Sequence, residues 1–243
     1  MDFDVKEYWN KRLDKEFSLQ GVGYITFSPF YNKWLYKGKK AVLNKVYKQY
    51  LSKAPGKRVL DIGCGTGFFV DYYLKNGCEI TGLDISARSV KELKEKYPGS
   101  VFINSDISSP EGKLVDSFDI INMWDVMYHQ VDQEAFKRCC INIAGMAKPG
   151  TYFLLTDFFA AGRRIQPGQH VVFRPMEDYK DIMQELGFKL VTVRPLFRWL
   201  NRPYPWSHRF TNILAPFFYL FDRFISTPSV NNLSLAIWRY EGK

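Results

Sequence analysis

The segment Val59 to Phe69, VLDIGCGTGFF, limits the chain to few folds. An apolar, β-prone run meets three glycines at alternate positions, Gly63, Gly65 and Gly67, and passes directly into a helix-like stretch. Glycines at such a strand-to-helix turn let the backbone bend tightly and approach a ligand with no side chain in the way. Short β runs and helical stretches then alternate. The β runs are RVLDIG (58–63), EITGLDI (79–85), VFINSDI (101–107), FDIINMWDV (118–126) and TYFLLTDF (151–158), and helices are predicted over 67–76, 86–96 and 133–147. Strands alternating with helices of this length imply right-handed crossovers and a mostly parallel, doubly wound sheet. A helix over 179–188 closed by Gly187, then strands over 189–196 and 233–240, complete the pattern. The expected fold is α/β, a Rossmann-like seven-stranded mostly parallel sheet with helices on both faces and an antiparallel edge. An N-terminal helical lid (1–57) precedes a domain over 58–243, which carries an aromatic insertion before the last strand (198–229).

Ligands of open α/β sheets bind outside the carboxyl ends of the strands, so polar residues there carry the chemical signal. Asp84 ends the second predicted strand, 17 residues beyond Gly67. A carboxylate at that place accepts hydrogen bonds from both hydroxyls of a ribose. Asp106 ends the third and, with Ile107, is placed to hold an adenine edge. A dinucleotide oxidoreductase is the rival for such a glycine loop, but it usually shows GxGxxG and an accompanying Tyr-x-x-x-Lys pair.

Composition removes other classes. Cys64, Cys78, Cys139 and Cys140 show neither CxxC spacing nor a His/Cys cluster, which argues against a zinc site or disulfide framework and for a reducing compartment. No run reaches the ~20 apolar residues of a membrane span, and MDFDVKEYWNK is not a signal peptide. A cytoplasmic protein without a metal is expected. The net charge of +9 divides unevenly: +8 over residues 1–58, −4 over 59–193 and +5 over 194–243. Basic charge outside the central fold fits nucleic acid, an anionic lipid surface, an acidic substrate, or simply solvated lysines.

Taken together, VLDIGCGTG, GLDIS, SDI, FDIINMWDVMYHQVD and KPG resemble the class I S-adenosylmethionine-dependent methyltransferases over residues 58–158. One position departs: Thr151 stands where a second glycine is usual, a change expected to disturb only a turn. The resemblance implies S-adenosyl-L-methionine as cofactor, with Asp61, Gly63, Cys64, Gly65 and Gly67 on its methionine side, Asp84 and Ile85 at the ribose, and Asp106 and Ile107 at the adenine. It implies Met123 and Trp124 at the exit of the fourth strand, and a lid whose Tyr8 and Trp9 contact the cofactor. The aromatic lid residues serve equally to pack a helix on the sheet.

Methyl transfer to a hydroxyl benefits from a general base, and histidine is the natural candidate. His170, in the segment after the fifth strand, is placed first and His129, just past the fourth, second, with a purely pocket-shaping role as the alternative for His129; His208 ranks third. The insertion alternates Arg198, Arg202, Arg209 and Arg223 with large aromatics, which suits an acceptor cap, a membrane contact or a homodimer interface. The reading is an O-methyltransferase of a small-molecule, glycan or lipid-linked hydroxyl. The alternatives are an RNA methyltransferase and a non-catalytic S-adenosylmethionine-binding protein.

Overall fold

The computed structural model describes residues 4–52, 57–112, 114–202, 211–224 and 232–242. Its seven-stranded sheet is built from β1 (Arg58–Ile62), β2 (Glu79–Asp84), β3 (Val101–Asn104), β4 (Phe118–Met123), β5 (Ala147–Asp157), β8 (Phe188–Pro195) and β9 (Ser234–Tyr240). The order is β3-β2-β1-β4-β5-β9-β8. The pairs β1–β2, β1–β4, β2–β3 and β4–β5 are parallel, while β9 runs antiparallel between β5 and β8. All seven predicted strands are present. The strand order reverses between β1 and β4, and that is where an open α/β sheet leaves a crevice.

Helices cover both faces because strand side chains alternate between them. Val59, Ile120, Leu154 and Ile237 point to one face and pack with Tyr31 and Leu35 of α2 (Pro29–Val46), Phe69 of α3 (Phe68–Lys75) and Val90 of α4 (Ala87–Lys96). Leu60, Ile121, Phe153 and Trp238 point to the other and meet Phe136 of α5 (Gln133–Gly145) and Tyr179 of α6 (Met176–Glu185). Side-chain oxygens close the helix starts: Asp4 caps α1 (Val5–Lys15), Ser28 α2, Ser86 α4 and Asp132 α5. Gly187, at φ +90°, follows α6 as its left-handed terminus.

Two features differ from expectation. Residues 165–173, read as a loop, form a small hairpin, β6 (Ile165–Gly168) and β7 (Val171–Phe173). Pro167 and Gly168 mask it in the sequence, since both residues are depleted in strands. Within the insertion, the apolar run 213–221, which Pro216 interrupts in the sequence, lies in one continuous helix, α7 (Thr211–Phe224), packed on α2. Thr151 disturbs little: its hydroxyl donates to the Phe118 carbonyl (2.5 Å) and accepts the Lys148 amide (2.9 Å), so β5 continues through the irregularity. Among the described residues no helix is long and apolar enough to cross a membrane. His208, Arg209 and much of the remaining insertion, 203–210 and 225–229, lie outside the described residues.

Candidate active site

The glycine turn sits at the carboxyl end of β1. Gly63 and Gly65 have φ of +72° and +50°, and Gly67, at +80°, caps α3. A Cβ on Gly63 would stand 2.2 Å from Val126 Cγ2, and one on Gly67 2.6 Å from Leu93 Cδ2. Both positions therefore require glycine on conformation and on space. The Gly63 amide donates to the Leu83 carbonyl at 2.7 Å, tying the turn to β2.

Asp84 finishes that tie. Its Oδ2 accepts the Gly65 amide (2.7 Å) and its Oδ1 the Ser86 amide (2.8 Å). Burial pushes its carboxyl up to about 6, against the pull of those two amides. Below the turn, Asp61 Oδ1 accepts from Asn122 Nδ2 at 2.7 Å, and Asn122 Oδ1 accepts from Trp124 Nε1 (2.6 Å) and the Tyr73 hydroxyl (3.1 Å). Asp61 Oδ2 is buried with no hydrogen-bond partner among the described residues, and burial lifts this carboxyl to about 7. The chain thus leaves one acceptor directly under the glycine turn.

A cleft opens here. Gly63, Cys64 and Gly65 form one wall, with Asp84 and Ile85 after β2 and Asp106 and Ile107 beyond β3. Strand β3 ends at Asn104, two residues earlier than expected, because the Asn104 side chain turns back to donate to the Asp84 and Ile85 carbonyls. Asp106 Oδ1 accepts from the Ser108 amide and hydroxyl (2.8 and 2.9 Å). Trp124 lines the cleft with its ring 4.6 Å from Phe69, and Trp9 of α1 lines it from above. Four other expected residues sit off the wall. Met123 is fully buried on the α5 side of β4, Gly67 is spent on the α3 cap, Asp61 lies beneath the turn, and Tyr8 packs against His170 at a tilt of 34°, ring centroids 5.1 Å apart.

The two central histidines come together. Their rings lie parallel, 5.7 Å between centroids, and His129 Nδ1 is 2.9 Å from the His170 carbonyl oxygen. A carbonyl only accepts, so Nδ1 carries the proton and the neutral ring keeps its lone pair on Nε2. His129 lines the cleft; His170, in the β6–β7 turn, does not. Burial lowers His129 to about 4, against the opposing pull of its hydrogen bond to the His170 carbonyl, and burial with the Arg12 guanidinium also lowers His170.

Three further residues escaped sequence reading. Arg12 donates to the Tyr8 hydroxyl (3.0 Å) and to the Gly23 carbonyl, and its guanidinium lies 4.9 Å from the centroid of the Trp9 ring. Lys39 of α2 is 3% exposed and paired with Asp125 on the cleft wall. Asp125 holds φ +60°, secured by the Thr156 hydroxyl, which receives its amide (2.8 Å) and donates to its Oδ1 (3.1 Å). Burial alone would pull the Lys39 ammonium down, yet Asp125, Tyr36 and Tyr24 hold it above the ordinary lysine value. The signal available was the helical period: Lys37 and Lys40 are exposed, whereas Lys39 shares the inward face with Tyr36 and Leu43.

Comparison with known proteins agrees with this geometry. The ubiquinone biosynthesis O-methyltransferase of Xanthomonas campestris pv. campestris is 32% identical over 122 residues, 47% of this chain and 50% of the relative. O-methyltransferase resE of Aspergillus sclerotiorum is 26% identical over 175 residues, 63% of this chain and 65% of the relative. The chain spans about half the length of the ubiquinone-pathway relatives it matches. Magnesium protoporphyrin IX methyltransferase of Synechocystis PCC 6803, crystallised with S-adenosylmethionine, shares the fold at TM-score 0.61 and 19% identity over 98% of both chains. The profile of a family described as Methyltransferase domain matches residues 35–193, well over half of the sequence. With glycine turn, strand-end carboxylates and sheet order all in register, the chain belongs to the methyltransferase-domain family.

Proposed function

We propose that this chain is a cytoplasmic S-adenosylmethionine-dependent O-methyltransferase of a small-molecule or lipid-linked hydroxyl, and that His129 receives the hydroxyl proton. The observation that carries the base assignment is the His129 Nδ1 contact with the His170 carbonyl, which leaves Nε2 as the acceptor on a cleft-lining ring. His170 thereby changes from candidate base to positioning residue. The residues present suit the donor: Gly63 and Gly65 present no Cβ to the cleft, Asp84 at the end of β2 and Asp106 just past β3 offer acceptors, and Asp61 Oδ2 has no partner among the described residues. When bound, S-adenosylmethionine supplies a methyl carbon activated by its sulfonium.

The chain's own residues do the rest. Trp9, Val5 and Leu13 of α1 lie over the cleft and keep water from it, so α1 acts as a lid. His129 is neutral at physiological pH because its pKa lies near 4. A base this weak is poorly matched to an aliphatic alcohol, and the better match is an acidic hydroxyl such as a phenol. Transfer to oxygen agrees with relatives named O-methyltransferases. The four free, buried cysteines are in keeping with the cytoplasm.

The experiment is transfer of labelled methyl from S-adenosylmethionine to fractionated extract and to a panel of phenols. Label in an alkali-stable aryl ether supports the reading, and His129→Ala slows single-turnover transfer by about two orders of magnitude. Label confined to RNA overturns the acceptor class.

A further inference from the structure

Helix α7 turns two faces to different surroundings. Ala215 and Phe218 are buried, and Tyr219 contacts Trp34 of α2 at 5.2 Å between ring centroids. Asp222 accepts the backbone amides of Arg198, Trp199 and Leu200 (2.7, 2.7 and 3.2 Å), clamping the helix to the body. The opposite face is apolar and open: Ile213, Phe217, Leu220, Phe221 and Phe224 are 65%, 53%, 45%, 39% and 76% exposed. At 100° per residue these five share an arc of roughly a third of the helix circumference. Phe30, 48% exposed, extends the patch through its contact with Trp34. Soluble monomers rarely show so many large apolar side chains together.

The charge beside the patch has one sign. Helix α2 contains five lysines and no Asp or Glu, and only Lys39 among them is buried. On α2, Lys33, Lys37 and Lys40 are exposed at helical spacing, and Lys37 Nζ lies 4.1 Å from the Trp34 ring and 5.0 Å from Tyr219, at the α2–α7 seam. The acid of α7, Asp222, is turned to the backbone amides it caps, while Arg223 is exposed. An apolar face rimmed by cations is complementary to an anionic lipid surface, where aromatic side chains enter the headgroup boundary and lysines meet phosphates. A second copy is the poorer occupant, because a two-fold interface places the same patch, with its lysines, on both sides.

We propose that the α2–α7 face docks on an anionic bilayer. Helix α7 lies in the interface plane, being too short to span, and the inner side of α2, through Tyr36, forms part of the cleft wall. Docking thus brings the cleft to the membrane surface. The inference stands apart from methyl transfer, since vesicle binding needs neither cofactor nor acceptor.

The test is sedimentation of the intact protein with vesicles of equal parts phosphatidylglycerol and phosphatidylcholine, against phosphatidylcholine alone. Binding to the anionic vesicles is expected and weakens at about 0.5 M NaCl, where the screening length falls to a few Å. Replacing the exposed rings, F217S/F221S/F224S, lowers partitioning at least about tenfold while circular dichroism and S-adenosylmethionine binding are retained. K33Q/K40Q lowers it by about fivefold per lysine. Absence of binding to the anionic vesicles, or equal binding by the triple-ring variant, overturns the proposal. So does a wild-type dimer that the same variant converts to monomer without any vesicle partitioning.

Discussion

Lys39→Met removes the cation from the most deeply buried ion pair among the described residues while nearly keeping the length of the side chain. Lys39 is 3% exposed and Asp125 16%, so the substitution leaves a carboxylate in a largely dry place, and breaking such a pair from one side costs about 3–5 kcal/mol. Asp125 keeps its bonds to Thr156 and its opening to the cleft, which lets water in and puts the expected loss near the lower end, about 3 kcal/mol. For a chain of this length each kcal/mol lowers Tm by about 2–4 °C, so a fall of roughly 6–12 °C follows. Differential scanning calorimetry reads it directly. The double variant K39M/D125N removes both charges and should recover more than half of the loss, because the penalty is the unpaired carboxylate. A Tm within about 2 °C of wild type for Lys39→Met, or a double variant no better than the single, would refute the reasoning.

Three other outcomes follow from the site. Asp84→Asn should weaken S-adenosylmethionine binding about 10- to 100-fold, since charge-assisted bonds of about 1.5–3 kcal/mol are lost at the turn and at the ligand, and unchanged affinity by calorimetry would remove the residue from the donor site. Gly63→Ala, strained at φ +72° and clashing with Val126, should lower the free energy of urea unfolding by about 1–3 kcal/mol; equal stability would contradict the close approach. With His129 lowered to about 4, its neutral, proton-accepting form persists from pH 8 down through 6, so the single-turnover rate should lose no base until pH nears 4 to 5; an inflection near the ordinary histidine value of about 6.5 would contradict a buried His129 base.

The sheet was legible because its strands are apolar runs separated by helices of regular length, and because the turn at Gly63, Gly65 and Gly67 has few structural uses. Asp84 at the end of β2, Asp106 and Ile107 just past β3, and Trp124 just past β4 line the cleft. What escaped was whatever depends on distant pairing. Lys39 sits in the run KGKK, which reads as solvated, and its partner is 86 positions away. His170 and His129 are 41 positions apart, and only the β6–β7 hairpin, hidden by Pro167 and Gly168, brings the carbonyl of one to the ring of the other. That contact is why the proposed function places His129, not His170, at the acceptor proton. Likewise, ILAPFFYLF shows its hydrophobicity in the sequence, but which of its side chains face outward is set by the clamp at Asp222.

The most direct test of the account is isothermal titration of the intact protein with S-adenosylmethionine. Saturable binding at one site per chain is expected, competed by S-adenosylhomocysteine and weakened by Asp84→Asn. A folded protein, verified by circular dichroism, that releases no heat with up to about 1 mM ligand would contradict the assignment of the glycine-turn cleft to the methyl donor.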